Sequence, residues 1–179
     1  ISPLIALMKD QVDVLVHKGI DATYVNSSLT KMERIERYEG IKHGKYKLLY
    51  VTPERFRKQE FLDVLKSREI SLLAVDEAHC ISEWGHDFRP DYTRLKEFRQ
   101  IMNNPVTIAL TATATPDVQK DIIGQLGLTE NEIRLFHEGI NRPNLKLETA
   151  HLWGEQEKLE EIIKVIKANP GSGIVYFSL

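Results

Sequence analysis

Apolar residues recur along this chain with two alternating periods. Short runs rich in β-branched and aromatic side chains are separated by longer stretches in which apolar positions return every three or four residues. That alternation predicts a parallel sheet flanked by helices, an α/β fold. The first helix is expected after Pro3, with Leu4, Leu7, Met8, Val12 and Leu15 at helical spacing and Gly19 as its stop. Tyr24-Val25 reads as a short strand. Thr30 and Glu33 form a capping-box pattern opening a helix that carries Met32, Ile35 and Tyr38, and Gly40 to Gly44 loosen its end. Lys47 to Val51 is the next strand, and Phe61, Leu62 and Leu65 mark another helix. Leu72 to Val75 is apolar on both faces, as a central parallel strand is. After a loop dense in aromatic and charged residues, Val106 to Leu110 predicts a further strand. Thr115 and Pro116 then stand as N-cap and first residue of a helix bearing Val118, Ile122 and Leu126 and ended by Gly127.

The stretch from Glu138 to Glu148, with Arg142-Pro143-Asn144 inside it, has the character of an extended connection between units. Residues 1–145 are therefore expected to form one domain and residues 146–179 the beginning of a second. In that second part Leu159, Ile162, Ile163 and Ile166 make a helical face, Asn169-Pro170-Gly171 a turn, and Ile174 to Phe177 the start of a strand. The chain opens on Ile1-Ser2-Pro3 and stops within an apolar run, so both ends read as cut from something longer.

Composition narrows the picture only in part. A formal charge of -2 means that any nucleic-acid binding rests on local clusters rather than on a generally cationic surface. Cys80 is the single cysteine, which excludes an intrachain disulfide framework and a multi-cysteine zinc site, and fits a reducing compartment. No apolar run approaches the roughly 20 residues that span a bilayer, so no membrane is expected.

Ligands of open parallel sheets sit beyond the carboxyl ends of the strands, so polar residues directly after apolar runs are the first candidates for chemistry. Such strings are Asp76-Glu77-Ala78-His79 after Val75, Thr111-Ala112-Thr113-Ala114 after Leu110, Thr52-Pro53-Glu54-Arg55 after Val51, and Ser2-Pro3. Adjacent carboxylates in this position suit nucleotide hydrolysis. Asp76 would hold Mg²⁺, usually through water, and Glu77 would orient or deprotonate the attacking water. An acidic pair alone also fits a solvated turn; the buried strand before it and His79 after it favour the site. His79 is assigned to coupling rather than to proton transfer. Between Ile81 and Pro90 the chain gathers Trp84, His86, Phe88 and Arg89, a set that can stack on unpaired bases and meet phosphate. Anchoring of Trp84 or Phe88 in the core is the alternative. Ser2, Thr52 and Arg55 are candidates for holding phosphates, with turn and capping roles equally open. Thr111 and Thr113, in a small hydroxyl-rich segment, are suited to exchanging hydrogen bonds between two states, or only to a turn.

The contiguous string from Val75 through Asp76-Glu77-Ala78-His79-Cys80-Ile81-Ser82-Glu83-Trp84-Gly85-His86-Asp87-Phe88-Arg89-Pro90 resembles the Walker B motif and aromatic-rich loop of the RecQ helicases. Ser2-Pro3-Leu4-Ile5 with Met8-Lys9-Asp10-Gln11 resembles helicase motif Ia, Tyr50 to Arg55 motif Ib, Ala109 to Ala114 motif III, Asn141 to Leu145 the inter-domain segment, and Gly173 to Tyr176 the start of motif IV. The resemblance implies a RecA-like fold and a piece of an ATP-dependent 3′-to-5′ DNA helicase. It further implies Mg²⁺ as cofactor, single-stranded and forked DNA as partners, and a role in recombination and repair in a bacterial cytoplasm, at the nucleoid, or in a nucleus. Two departures stand out. Glu83 occupies a place where many family members carry glutamine. No Gly-x-x-x-x-Gly-Lys-Ser/Thr is present, Gly44-Lys45 being followed by Tyr46, so the phosphate cradle is missing and the isolated chain is expected to be inactive as an ATPase. Competing readings are a DEAD/DEAH-type RNA helicase piece and a non-catalytic nucleic-acid-binding module.

Overall fold

Among the described residues the β-branched and apolar runs become four short strands: β1 (Ala22–Val25), β2 (Leu48–Val51), β3 (Leu72–Val75) and β4 (Val106–Ala109). The structure is a computed structural model describing residues 1–82, 87–136 and 142–177. β1 pairs with β2 in parallel, Ala22 opposite Leu48 through Val25 opposite Val51, and β3 pairs with β4 from Leu72 opposite Val106 to Val75 opposite Ala109. Ile1 and Ser2 join the two ribbons. The Ile1 nitrogen donates to the Ala74 carbonyl at 2.6 Å, the Asp76 N–H donates to the Ile1 carbonyl at 2.9 Å, and the Ser2 N–H donates to Val51 at 3.0 Å. The expected parallel sheet is thus realised, with residues 1–2 running between β2 and β3.

Parallel neighbours need crossovers, which the helices supply. In unit 1, Ile1–Leu135, these are α1 (Ile5–His17), α2 (Lys31–Lys42), α3 (Gln59–Lys66), α4 (Leu95–Ile101) and α5 (Pro116–Gln125). The capping box of α2 forms as its sequence predicts: the Glu33 N–H donates to Thr30 Oγ1 at 3.3 Å and the Thr30 N–H to Glu33 Oε2 at 2.8 Å. Thr115 likewise caps α5, accepting from the Val118 N–H at 3.4 Å, with Pro116 at the first turn. Gly19 and Gly127 end α1 and α5 at φ 75° and 69°, a conformation that costs a side-chain-bearing residue about 1 kcal/mol or more.

The main core cluster gathers on one face of the strands, while Ala22, which points to the other face of β1, is buried, as are Met8 and Val12 of α1. Phe56 stacks on Phe98 with ring centroids 4.1 Å apart and meets Phe61 edge-on at 5.4 Å, while Val25, Val51, Leu73 and Val75 point into the same cluster. α4 brings Leu95 and Phe98 to it, an element too short for its periodicity to stand out from the charged loop before it. Two expectations are corrected by burial. Leu72 to Val75 is not covered on both faces: Leu73 and Val75 are buried, but Leu72 is 55% exposed and Ala74 is exposed, because no described helix of unit 1 covers them. On α2, Tyr38 and Ile41 face the core, whereas Met32 is 75% exposed and Ile35 also lies outward. The end of α2 falls within Gly40 to Gly44 as expected: Gly40 lies in the last turn beneath the Tyr46 ring, and Gly44, at φ 71°, follows the His43 cap.

Unit 2, Phe136–Leu179, holds α6 (Gly154–Ala168), none of whose residues is buried. Leu159, Ile162, Ile163 and Ile166 form the apolar face that their spacing predicts. Among the described residues Ile174 to Phe177 has no partner ladder and is not a strand, since an unpaired segment gains no strand hydrogen bonds. No helix of the described residues is long and apolar enough to cross a membrane.

Candidate active site at the ends of the central strands

The chain leaves β3 through a sharp local turn. Asp76 follows Val75 in line, and Glu77 then adopts a left-handed backbone at φ 49° and ψ 45°. For a residue with a Cβ this conformation costs about 1–2 kcal/mol and persists only where surrounding bonds over-determine it. Two such bonds are present. The Glu77 N–H donates to Asp76 Oδ1 at 3.0 Å, and the Ala78 N–H reaches the Leu110 carbonyl at 2.9 Å, continuing the β3–β4 ladder beyond its last pair. The kink feeds a 3-10 turn, Ala78–Ile81, whose residues are all buried. From the opposite side the Tyr92 hydroxyl, fully buried, donates to the Asp76 carbonyl at 3.0 Å. Burial holds its phenol proton well above the usual tyrosine range.

Asp76 also receives the Ser2 hydroxyl, Oγ to Oδ2 at 3.1 Å, so the two residues share one locus although 74 positions apart. No lysine or arginine among the described residues pairs with Asp76, and each of its oxygens accepts a single bond from the protein. Lone pairs are therefore left for water. No group of three or more His, Cys, Asp or Glu side chains able to hold a metal gathers among the described residues. The donor set suits a hydrated Mg²⁺, which demands few protein ligands and keeps several waters, and not a closed protein cage.

The Glu77 side chain is 34% exposed at the mouth of this locus, with Oε2 3.2 Å from His79 Nδ1. The same nitrogen lies 3.0 Å from Thr111 Oγ1. Because the Thr111 hydroxyl gives its proton to the Thr113 carbonyl, Nδ1 is the donor toward Thr111. Thr111 in turn donates to the Thr113 carbonyl at 3.0 Å and accepts from the Thr113 N–H at 3.3 Å. His79, Thr111 and Thr113 thus form one hydrogen-bonded string, with the Glu77 carboxylate beside its His79 end, joining the end of β3 to the segment after β4.

The remaining candidates fall in several places. Thr52 is buried and its hydroxyl donates to Glu54, so the side chain is already satisfied within its own turn. Arg55 is half-buried, and its Nε is buried without a partner among the described residues. Phe88 is 36% exposed, and Arg89 holds Asp87 through Nε at 3.1 Å and Nη2 at 2.8 Å, which keeps the Asp87 carboxyl below the usual range. Trp84 and His86, with Glu83, lie outside the described residues. Burial, reinforced by Asp87, pushes the Cys80 thiol up to about 11. Sequence reasoning missed Tyr92, and it missed a bond from Ser82 Oγ to Asp121 Oδ2 of α5 at 2.6 Å. A serine and an aspartate 39 residues apart leave no local signal of such pairing.

The family model described as DEAD/DEAH box helicase matches residues 1–122. The chain is 46% identical over 178 residues to the ATP-dependent DNA helicase RecQ of Bacillus subtilis (strain 168), covering 98% of this chain and 29% of that protein. It is 42% identical to the probable ATP-dependent DNA helicase RecS of the same organism, over 98% of this chain and 35% of the relative. With the RecQ-like DNA helicase BLM of Xenopus laevis the identity is 41%, over 98% of this chain and 13% of the relative. The chain therefore spans about a third or less of the length of each of these relatives. Among solved structures, the helicase domain of Pyrococcus furiosus Hef superposes with a TM-score of 0.51 at 19% identity, over 70% of this chain and 26% of that one, which supports the RecA-like helicase fold. With a helicase model matched across most of unit 1 and RecQ relatives aligned over nearly its whole length, the chain belongs to the DEAD/DEAH box helicases and, within them, to the RecQ group.

Proposed function

We propose that this chain is part of the motor of an ATP-dependent DNA helicase that moves 3′ to 5′ along single-stranded DNA and opens forked duplexes in recombination and repair, at the nucleoid or in the nucleus. Residues 1–145 belong to its first RecA-like domain and residues 146–179 begin the second. The names of the RecQ relatives support DNA rather than RNA as the track. The observation that carries the reading is the hydrogen-bonded string His79–Thr111–Thr113 with the Glu77 carboxylate at its His79 end, beside Asp76, because it unites a water-activating carboxylate with a segment able to report on a second ligand.

Asp76 would hold a hydrated Mg²⁺, its carboxylate oriented by the Ser2 hydroxyl and the Glu77 N–H. When bound, that ion neutralises charge on the β- and γ-phosphates of ATP. Glu77 accepts a proton from the attacking water at its exposed carboxylate. His79 is a positioning residue: with its ring beside Oε2 it sets which carboxylate oxygen faces that water. The chain's other task is to feel DNA. Trp84, His86, Phe88 and Arg89 are assigned to stacking and phosphate contact, and Thr52 and Arg55 to the backbone of the track.

Glu77→Gln in the full-length protein tests the reading. It keeps size and polarity but removes the base, so single-turnover hydrolysis is expected to fall about 10²- to 10⁴-fold while ATP affinity changes little. Equal losses in hydrolysis and nucleotide binding would assign Glu77 a structural role instead.

A further inference from the structure

The string through His79 is not the only tie between the end of β3 and the segment that follows β4. The two stretches run side by side and are joined at successive points: Ala78 N–H to the Leu110 carbonyl at 2.9 Å, His79 Nδ1 to Thr111 Oγ1 at 3.0 Å, and Ser82 Oγ to Asp121 Oδ2 at 2.6 Å. The last differs in kind. Asp121 lies on α5, between Val118 and Ile122, whose side chains are buried on the same helix face. α5 starts directly after the Thr111–Ala114 segment and is fixed there by its Thr115 cap. Ser82 is buried and is the last described residue before the stretch that holds Trp84. Where the chain returns, the Arg89 N–H donates to the Cys80 carbonyl at 2.9 Å. Both described ends of the aromatic stretch are therefore fastened, one to the 3-10 turn behind Glu77 and the other to α5.

We infer that Asp121 is a positioning residue for coupling: through Ser82 it makes α5 and the Thr111–Thr113 segment move as one body with the aromatic stretch, in parallel with the His79 link. A serine hydroxyl given to a carboxylate is a charge-assisted bond with a defined direction, and 2.6 Å is an ordinary length for that class. With both ends of the stretch tied to one body, displacement by a stacked base would reach Thr111 from two directions. His79 would pass it through the active site, and Asp121 through the helix that carries the Thr111–Thr113 segment at its start. Without the Ser82–Asp121 bond, the entrance to the stretch could move without moving α5. This inference rests on the helicase reading above and adds to it a residue outside the helicase motifs quoted from the sequence.

The test uses the full-length protein and measures ATP hydrolysis with and without a single-stranded oligonucleotide, alongside a thermal melt. Ser82→Ala and Asp121→Ala are each expected to reduce stimulation by DNA roughly tenfold, within the usual range of coupling between two sites, and to leave basal hydrolysis within about twofold. The double variant should be no worse than either single, because all three lose the same bond. Asp121→Asn keeps an acceptor oxygen at the same distance and should restore most of the stimulation. Should Asp121→Ala fail to fold, Ser82→Ala, which removes a single oxygen, decides the matter alone. Full stimulation in Ser82→Ala, or basal and stimulated rates falling together in the folded variants without rescue by asparagine, overturns the inference. A parent protein whose hydrolysis does not respond to single-stranded DNA at all would instead overturn the helicase reading beneath it.

Discussion

Removing one oxygen from Tyr92 probes how firmly the site is held from behind. Tyr92 is fully buried, and its hydroxyl donates at 3.0 Å to the backbone carbonyl of Asp76, the residue from which the left-handed turn at Glu77 departs. Tyr92→Phe keeps the ring and its packing, so the change is one hydrogen bond and the desolvated carbonyl that it leaves. A net bond of this kind contributes about 0.5–1.5 kcal/mol, and an orphaned buried acceptor raises the cost toward 1–3 kcal/mol. Because a carbonyl tolerates partial satisfaction better than an N–H, a loss of about 1–2 kcal/mol is expected. In a unit of this size that lowers the melting temperature by about 3–8 °C. Urea titration of the two proteins should give displaced midpoints with equal slopes, since little surface changes. The effect has a pH signature. Burial raises the Tyr92 phenol above its ordinary value, so its stabilising contribution is complete below the unfolded pKa near 10 and declines as pH rises beyond it. The gap between tyrosine and phenylalanine should therefore narrow in alkali. Coincident urea midpoints at neutral pH, or a gap that does not shrink above about pH 10, would show that the hydroxyl does not brace Asp76 as described.

Asp76→Asn in the full-length protein should shift the Mg²⁺ requirement for hydrolysis to higher concentration, because an amide oxygen holds a hydrated cation less firmly; an unchanged magnesium titration would remove Asp76 from the metal site. The 179-residue chain by itself carries no lysine-bearing phosphate loop and should release no phosphate from ATP, so magnesium-dependent turnover by pure chain would contradict the assignment. Cys80, the single cysteine, is fully buried, and a thiol reagent should label it only as fast as the chain opens. Its folded pKa is raised from 9.0 to about 11, so it contributes stability below pH 9 that is lost as pH climbs through 11. Cys80→Ala should lose less stability than wild type across that interval, and rapid stoichiometric labelling of the native protein would refute the burial.

Local signals were legible wherever the bond they anticipate spans a few residues. Thr30 with Glu33, and Thr115 with Pro116, announced helix starts that form with the expected hydrogen bonds. The Asp76-Glu77 pair was legible because a strand end is a local feature. Helix phase was less so: Met32, six residues before Tyr38, lies about 120° round the helix from it and faces outward, while Ile41 joins Tyr38 on the buried face. α4 escaped notice because seven residues give barely two turns, and Leu95 and Phe98 sit among charges that make the run read as loop.

Bonds that cross the sequence were not legible, and they change what the motif residues are for. Ser2 and Thr52 follow or begin strand-end strings, and their hydroxyls suggested phosphate contacts; in the fold one is given to Asp76 and the other to Glu54. A hydroxyl has one proton to donate, so either residue can meet a phosphate with its side chain only by accepting a different arrangement of that proton. Glu77 shows the same economy from the other side. Its backbone strain of about 1–2 kcal/mol is borne by the Leu110 carbonyl and by the bracing of Asp76 by Tyr92, partners that lie 33 and 15 residues away from Glu77 in the sequence. The chemistry of the Asp76-Glu77 pair can therefore be read from two adjacent letters, while the geometry that makes it usable is held by residues that no short motif contains.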